Sequence, residues 1–212
     1  KDKEAYLALY DREGNSLAEG EIHGQNGGYP IAIALSNDAV KLAVSMININ
    51  EGSVKSTIAF YNYGTVGQNE IDHCVGVNNY DDMVIPEMEF TSNDRMVAFG
   101  DTKAVIFEGA QKPQAIAEIP KTKSIFYNEH YIGIVTGNED EAVTNHLAVY
   151  DENGKLVMEK DFGLDYSSIE FLTNNEICIR NANVCDIYTV HGVYKFHHEF
   201  EEELFEIIPG KL

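Results

Sequence analysis

The chain has 212 residues, 44% of them hydrophobic and 24% charged, proportions that suit a globular protein and exclude a disordered one. Acidic residues outnumber basic ones 35 to 15, for a formal charge of -20. Phosphate backbones and anionic membrane surfaces need clustered Lys and Arg. Here Arg12, Arg95 and Arg180 stand far apart, so nucleic acid is not an expected partner, whereas a basic partner or a cation suits the charge. No apolar run approaches the roughly 20 residues that span a bilayer, so direct membrane insertion is not expected of this segment, and no signal peptide is visible.

The first predicted strand, Ala8-Leu9-Tyr10, runs into the turn Asp11-Arg12-Glu13-Gly14. A loop from Gly24 to Tyr29 follows. Residues 31–36 and 40–44 then form two apolar runs joined by Asn37-Asp38. Asn and Asp suit such a turn because they tolerate left-handed φ and bond to their own backbone. After a loop at Asn50-Glu51-Gly52 comes Ala59-Phe60-Tyr61, before Gly64, and then a second loop over residues 77–82.

The pattern recurs. Residues 88–92 and 96–99 flank Asn93-Asp94, and Val105-Ile106-Phe107 precedes Gly109. Residues 124–127 and 131–135 flank Asn128-Glu129; a loop at residues 137–141 leads to Ala148-Val149-Tyr150 and the turn Asp151-Glu152-Asn153-Gly154. A loop at Gly163-Leu164-Asp165-Tyr166 leads to residues 169–173 and 176–179 around Asn174-Asn175, then to Tyr188-Thr189-Val190 before Gly192. Residues 204–208 read as one closing strand.

Asn-containing turns begin 56, 35 and 46 residues apart, and the strand ends at Tyr10, Tyr61, Phe107 and Tyr150 lie 51, 46 and 43 residues apart. A period of about 40–50 residues with four strands per unit (A, B, C and D, joined by turns) predicts the blades of a β-propeller. The chain is thus expected to be all-β, a single β-propeller domain or propeller fragment over residues 1–212, with about four full blades of four antiparallel strands plus two leading strands. It starts at a C strand, and is either a small closed ring of about five blades or part of a larger ring.

The Tyr-Asp-Xaa-Xaa-Gly turns at Tyr10–Gly14 and Tyr150–Gly154, with the Asn-Asp hairpins, resemble WD40-like and quinoprotein-like propellers. More narrowly they resemble propeller proteins of Gram-positive bacteria held outside the cell behind an N-terminal membrane helix. The resemblance implies the fold and an extracytoplasmic location, and transfers no functional residue. The chain has no Trp. The Trp-Asp signature of WD40 repeats is therefore missing, as are the Trp residues of quinone-binding and sialidase-type blades.

In a propeller the A–B and C–D turns share one face, and the D–A and B–C loops surround the channel mouth on the other. On this phasing Tyr29, Tyr80, Asp81, Asp82, Asp165 and Tyr166 lie in D–A loops, and Glu51, Glu139, Asp140 and Glu141 in B–C loops. Tyrosine offers broad amphipathic contact at low entropic cost. These ten residues are the candidate binding site for a protein, a peptide or a surface glycan, in a non-catalytic binding or scaffold role.

The alternative is a carboxylate-dependent glycoside hydrolase or lyase on the same face, which needs one protonated and one ionised carboxyl. No catalytic residue is assigned. The seven histidines follow no HExxH spacing, and no GxSxG, phosphate-binding glycine loop or CxxC pair occurs. No cofactor or metal site is expected beyond calcium at the oxygen-rich loops. Cys178 and Cys185 flank a predicted hairpin and could face each other across it; otherwise they are small buried hydrophobes.

Overall fold

Short apolar runs separated by turn residues make antiparallel hairpins, and in the computed structural model every element among the described residues is a β-strand. The structure describes residues 5–22, 28–50, 52–64, 73–108, 113–118, 122–137 and 145–207. The chain forms two compact units, Lys1–Ala117 and Glu118–Leu212.

In the first unit β1 (Ala5–Tyr10) and β2 (Ser16–Ile22) form a two-stranded sheet. Blade I is β3 (Tyr29–Leu35), β4 (Lys41–Asn50), β5 (Ser53–Asn62) and β6 (Cys74–Asp81). Blade II is β7 (Glu87–Phe90), β8 (Arg95–Phe99), β9 (Lys103–Glu108) and β10 (Pro113–Glu118). In the second unit blade III is β11 (Thr122–Tyr127), β12 (Tyr131–Gly137), β13 (Asn145–Asp151) and β14 (Leu156–Phe162). Blade IV is β15 (Ser168–Phe171), β16 (Ile177–Arg180), β17 (Val184–Tyr188) and β18 (Tyr194–Glu199). All four sheets are antiparallel in sequential order. Among the described residues the strands thus form four four-stranded sheets and one sheet of two strands, the all-β, four-stranded antiparallel organisation that the sequence predicts.

Burial follows from position in the blade. The B strands are apolar on both faces: Leu42 to Val44 of β4, Met96 to Phe99 of β8 and Ile177 to Ile179 of β16 are buried without interruption. Blades I and II share one core, in which Ala34, Ile58 and Phe60 meet Met88, Phe90 and Phe107, the Phe60 and Phe107 rings 5.0 Å apart. Blades III and IV share another, built on Phe126, Leu147 and Val149 against Ile177, Ile179 and Tyr188.

The turn chemistry explains the recurring motifs. Asp11 Oδ1 accepts from the amides of Glu13 and Asn15, and Asp151 Oδ1 from those of Asn153 and Lys155. Gly14 and Gly154 then take φ of 85° and 76°, and a bulge follows in each ladder. This is a hairpin loop that needs a left-handed residue at its fourth position. The A–B turns differ from expectation in one detail. In blade I the left-handed residue is Ala39 (φ 57°), while Asp38 turns its carboxylate back to the amide of Val40 and the hydroxyl of Ser36. In blade IV it is Asn175, as the sequence suggests.

Three predicted boundaries move. Residues 77–81, read as loop, continue β6, because the ten-residue β5 offers them partners: Ile58, Thr57, Ser56 and Lys55 pair with Asn78, Asn79, Tyr80 and Asp81. The last C strand ends at Tyr188, with the turn formed by residues 189–193. Residues 204–207 form no strand. Leu204 and Ile207 instead pack with Phe200 against Leu172, Cys178 and Cys185, and Ile208 lies outside the described residues. Cys178 and Cys185 do face each other across the β16–β17 hairpin, as free thiols 3.8 Å apart and fully buried.

An L-residue held at left-handed φ is strained by about 1 kcal/mol relative to glycine. Replacing Ala39 with Gly is expected to stabilise the chain by about 1 kcal/mol in urea unfolding.

Candidate functional site

The two ends of the blades are chemically unlike. At the A–B end the turn residues bind neighbouring blades. In the first unit the amide of Asp38 donates to Asn93 Oδ1 (3.1 Å), and Lys41 Nζ donates to the Asn93 carbonyl (2.9 Å) and pairs with Asp94. In the second unit Asn128 Nδ2 donates to Asn175 Oδ1 at 2.8 Å. The polar turns that mark each repeat thus hold blades together. Between blades I and II at this end lies a cavity of about 180 Å³ with apolar walls from Phe60, Val75, Phe90 and Met96, and with Lys41 and Asp94 also lining it. Its lining comes from strands of two blades, so no local motif announces it.

At the opposite end, in the first unit, β6 passes to β7 through residues 82–86. This connection is pinned from beneath. Met83 and Ile85 are buried, and their carbonyls accept from the buried hydroxyls of Ser56 (2.6 Å) and Ser45 (2.8 Å). Asp101 ties the next residue, accepting from the Val84 amide while its own amide donates to the Val84 carbonyl. Asp81 and Asp82 are left on the surface. Asp81 pairs with Lys55 at 2.9 Å, and Asp82, at φ 52°, accepts from Ser53 Oγ at 3.4 Å. Tyr29, 67% exposed, opens β3 at the same end of the blade. Three strand spacings separate β3 from β6, so Tyr29 and Asp81 lie about 14 Å apart across the sheet.

Tyr80 does not join them. It pairs with Ser56 inside β6 and packs against the shared core, its hydroxyl buried without a partner and its pKa pushed up to about 12 by burial. Glu51 lies outside the described residues.

In the second unit, the connection from β14 to β15 is pinned in the same manner. Asn145, buried, donates from Nδ2 to the Leu164 carbonyl and accepts from Lys123 Nζ. Asn181 Nδ2 donates to the Asp165 carbonyl at 3.1 Å, leaving the Asp165 side chain exposed. Tyr166 turns inward, its hydroxyl 2.7 Å from Ser124 Oγ and its ring 5.6 Å from that of Phe162, so it is a packing residue. Glu139, Asp140 and Glu141 lie outside the described residues. Among the described residues no three His, Cys, Asp or Glu side chains are placed to hold a metal ion, and no helix is long and apolar enough to cross a membrane.

One acidic pair escaped sequence reading. Glu87 and Glu89 alternate with Met88 and Phe90 on β7, so the two carboxylates share the face opposite the core. Burial holds the Glu89 carboxyl above the usual range, and the Glu87 charge adds to this. The Glu-Met-Glu-Phe alternation was its sequence signal.

A family profile matches residues 1–212. The chain belongs to the family of unknown function DUF5711. No curated protein matches it. Among solved structures it is similar to the WD40 domain of Neurospora crassa Pan2, at 7% identity and a TM-score of 0.52, covering 91% of this chain and 60% of that one. It is also similar to the β-propeller domain of the trilobed protease of Pyrococcus furiosus, described as having an open velcro topology, at 11% identity and a TM-score of 0.53, covering 84% of this chain and 58% of that one. A third match is Pyrococcus horikoshii acylaminoacyl peptidase, at 13% identity and a TM-score of 0.50, covering 84% of this chain and 33% of that one. The likeness establishes the β-propeller fold. The chain spans about 60% of the length of the first structures it matches.

Two measurements check this description. Ser56→Ala removes the buried donor of the Met83 carbonyl and is expected to cost about 1–2 kcal/mol in denaturant unfolding. Glu89 is expected to titrate above an ordinary glutamate by NMR, and Glu87→Gln to lower its pKa. Because the folded-state pKa is raised, Glu89 contributes stability below the unfolded pKa that is lost as pH rises through the folded value. Glu89→Gln is therefore expected to flatten that part of the stability–pH profile.

Proposed function

We propose that this propeller is a non-catalytic binding or scaffold module, and that the D–A and B–C loop end of its blades engages a basic segment of a protein or peptide, with surface glycans as the other ligand class. The observation that carries the reading is the contrast between the two ends. Asn93, Asp94 and Asn128 at the A–B end are occupied in bonds between blades, whereas Asp81, Asp82 and Asp165 stand exposed on connections pinned by buried Ser45, Ser56 and Asn145. Rigid loops that present exposed carboxylates suit binding, since little ordering entropy is lost on association. The net charge of -20 supports attraction of a cationic partner. The extracytoplasmic location implied by the family resemblance forms part of the proposal, and protease accessibility on intact cells tests it.

A second reading, a carboxylate-dependent hydrolase or lyase, draws on one observation: Glu87 and Glu89 share a face, with the Glu89 carboxyl raised. Turnover of a glycan panel that is abolished by Glu89→Gln decides for it.

Thermal unfolding with basic peptides and cell-wall glycans tests the leading reading, because a ligand that binds only the folded state raises the midpoint. A rise that weakens with salt and is lost in Asp81→Asn/Asp82→Asn, with the unliganded midpoint unchanged, is the expected result. Asn retains the left-handed backbone that Asp82 occupies. A rise indifferent to both substitutions removes these residues from the site.

A further inference from the structure

The core shared by blades I and II contains a gap that its cross-strand rows build in. Across blade I, Ala34, Ala43, Phe60 and Gly76 stand opposite one another on β3, β4, β5 and β6. Across blade II the corresponding row is Phe90, Met96 and Phe107. Apart from Gly76, these residues belong to one core cluster. The second row is filled with large side chains, whereas the first has only Phe60. That ring is held against Phe107, and β6 offers it no side chain because Gly76 stands opposite. The space between Phe60, Val75, Phe90 and Met96 is left unfilled.

The size and walls of this cavity select its occupant. Its volume of about 180 Å³ is close to that of an apolar cavity of about 150 Å³ that takes benzene. Phe60, Phe90 and Met96 are all buried, so the inner walls are core. Two phenylalanine rings and a thioether favour an aromatic ring over an aliphatic group of equal size, through edge-to-face and sulfur–aromatic contacts.

The mouth is polar and fixed. Lys41 and Asp94 also line the cavity, and the Asp94 side chain is 79% exposed, so the cavity reaches the surface there. Lys41 pairs with Asp94 and donates to the Asn93 carbonyl, while the Asp38 amide donates to Asn93 Oδ1. These bonds join the two blades and preform the site, which lowers the ordering cost of binding. An ammonium and a carboxylate side by side set one like charge against a ligand of either sign. An uncharged group that donates to Asp94 or accepts from Lys41 meets no such penalty, and a phenolic hydroxyl can do both.

We propose that this cavity binds a single aromatic ring with an uncharged hydrogen-bonding substituent, of the phenol class. The ring lies among Phe60, Phe90 and Met96, and the hydroxyl meets the Lys41–Asp94 pair. The site is at the end of the blades away from Asp81 and Asp82, and it stands independently of the loop-end reading.

The test is an NMR titration of the whole chain with methyl-labelled methionine. It follows Met96, with Met158 of the second unit as control. Phenol is expected to shift the Met96 signal saturably and to leave Met158 unmoved. Benzoate and benzylamine are expected to bind at least about tenfold more weakly than phenol. Val75→Phe fills the cavity and is expected to abolish the shift. Asp94→Ala is expected to weaken phenol by about tenfold and to leave toluene unchanged. Asp94 is exposed, so this variant reads the site even where the filled one does not fold. The absence of a saturable Met96 shift with phenol and toluene overturns the proposal. So does equal movement of Met96 and Met158, tighter binding of hexanol than of phenol, or an undiminished shift in folded Val75→Phe. An equal loss of phenol and toluene binding in Asp94→Ala overturns the placement of the hydroxyl. A tyrosine-containing peptide that reproduces the phenol shift supports the site and makes a protein side chain the source of the ring. Phenol binding without peptide binding supports it with a free small molecule as the source.

Discussion

The structure rests on the two-sided burial of the middle strands. A four-stranded blade whose B strand carries Leu42 to Val44, Met96 to Phe99 or Ile177 to Ile179 without a polar break cannot leave either face in water. At about 25 cal/mol per Å² of apolar surface, each uncovered face forfeits a large part of what holds the domain together. Stacking one blade on the next is the response, and the blade-to-blade cores on Phe60 and Phe107 and on Phe126 and Ile179 are its products. Ile31, Ile33 and Leu35 of β3 depart from this pattern and are exposed.

Function has to be placed where this constraint leaves freedom. The strands are committed to packing, and the A–B turns are committed to bonding between blades through Asn93, Asp94, Asn128 and Asn175. The connections at the other end are also fixed, but from below. Buried Ser45, Ser56 and Asn145 satisfy carbonyls that would otherwise be desolvated without partners. The outward side chains of those connections, Asp82 and Asp165, stay exposed to solvent. Side chains that look alike in the sequence therefore divide into structural and available ones by direction alone. Tyr80 and Tyr166 point into the cores, and Tyr29, Asp81, Asp82 and Asp165 point out.

The sequence by itself determined the blades. Strand period, the Asp-Xaa-Xaa-Gly turns and the Asn-containing hairpins are local effects of hydrogen-bond geometry and left-handed backbone, so they are legible residue by residue. That is why strand order, blade phase and the two leading strands could be read directly, and why the facing of Cys178 and Cys185 across their hairpin was foreseeable. Only the tertiary structure decided what depends on neighbours distant in sequence. The length of β6 was set by the partner strand β5, and the fate of Leu204 and Ile207 by an apolar face of blade IV. The inward turn of Tyr80, the raised carboxyl of Glu89 and the open stripe on β3 depend on which surface lies opposite each side chain. Burial is a property of a pair of surfaces, and a single strand carries only one of them.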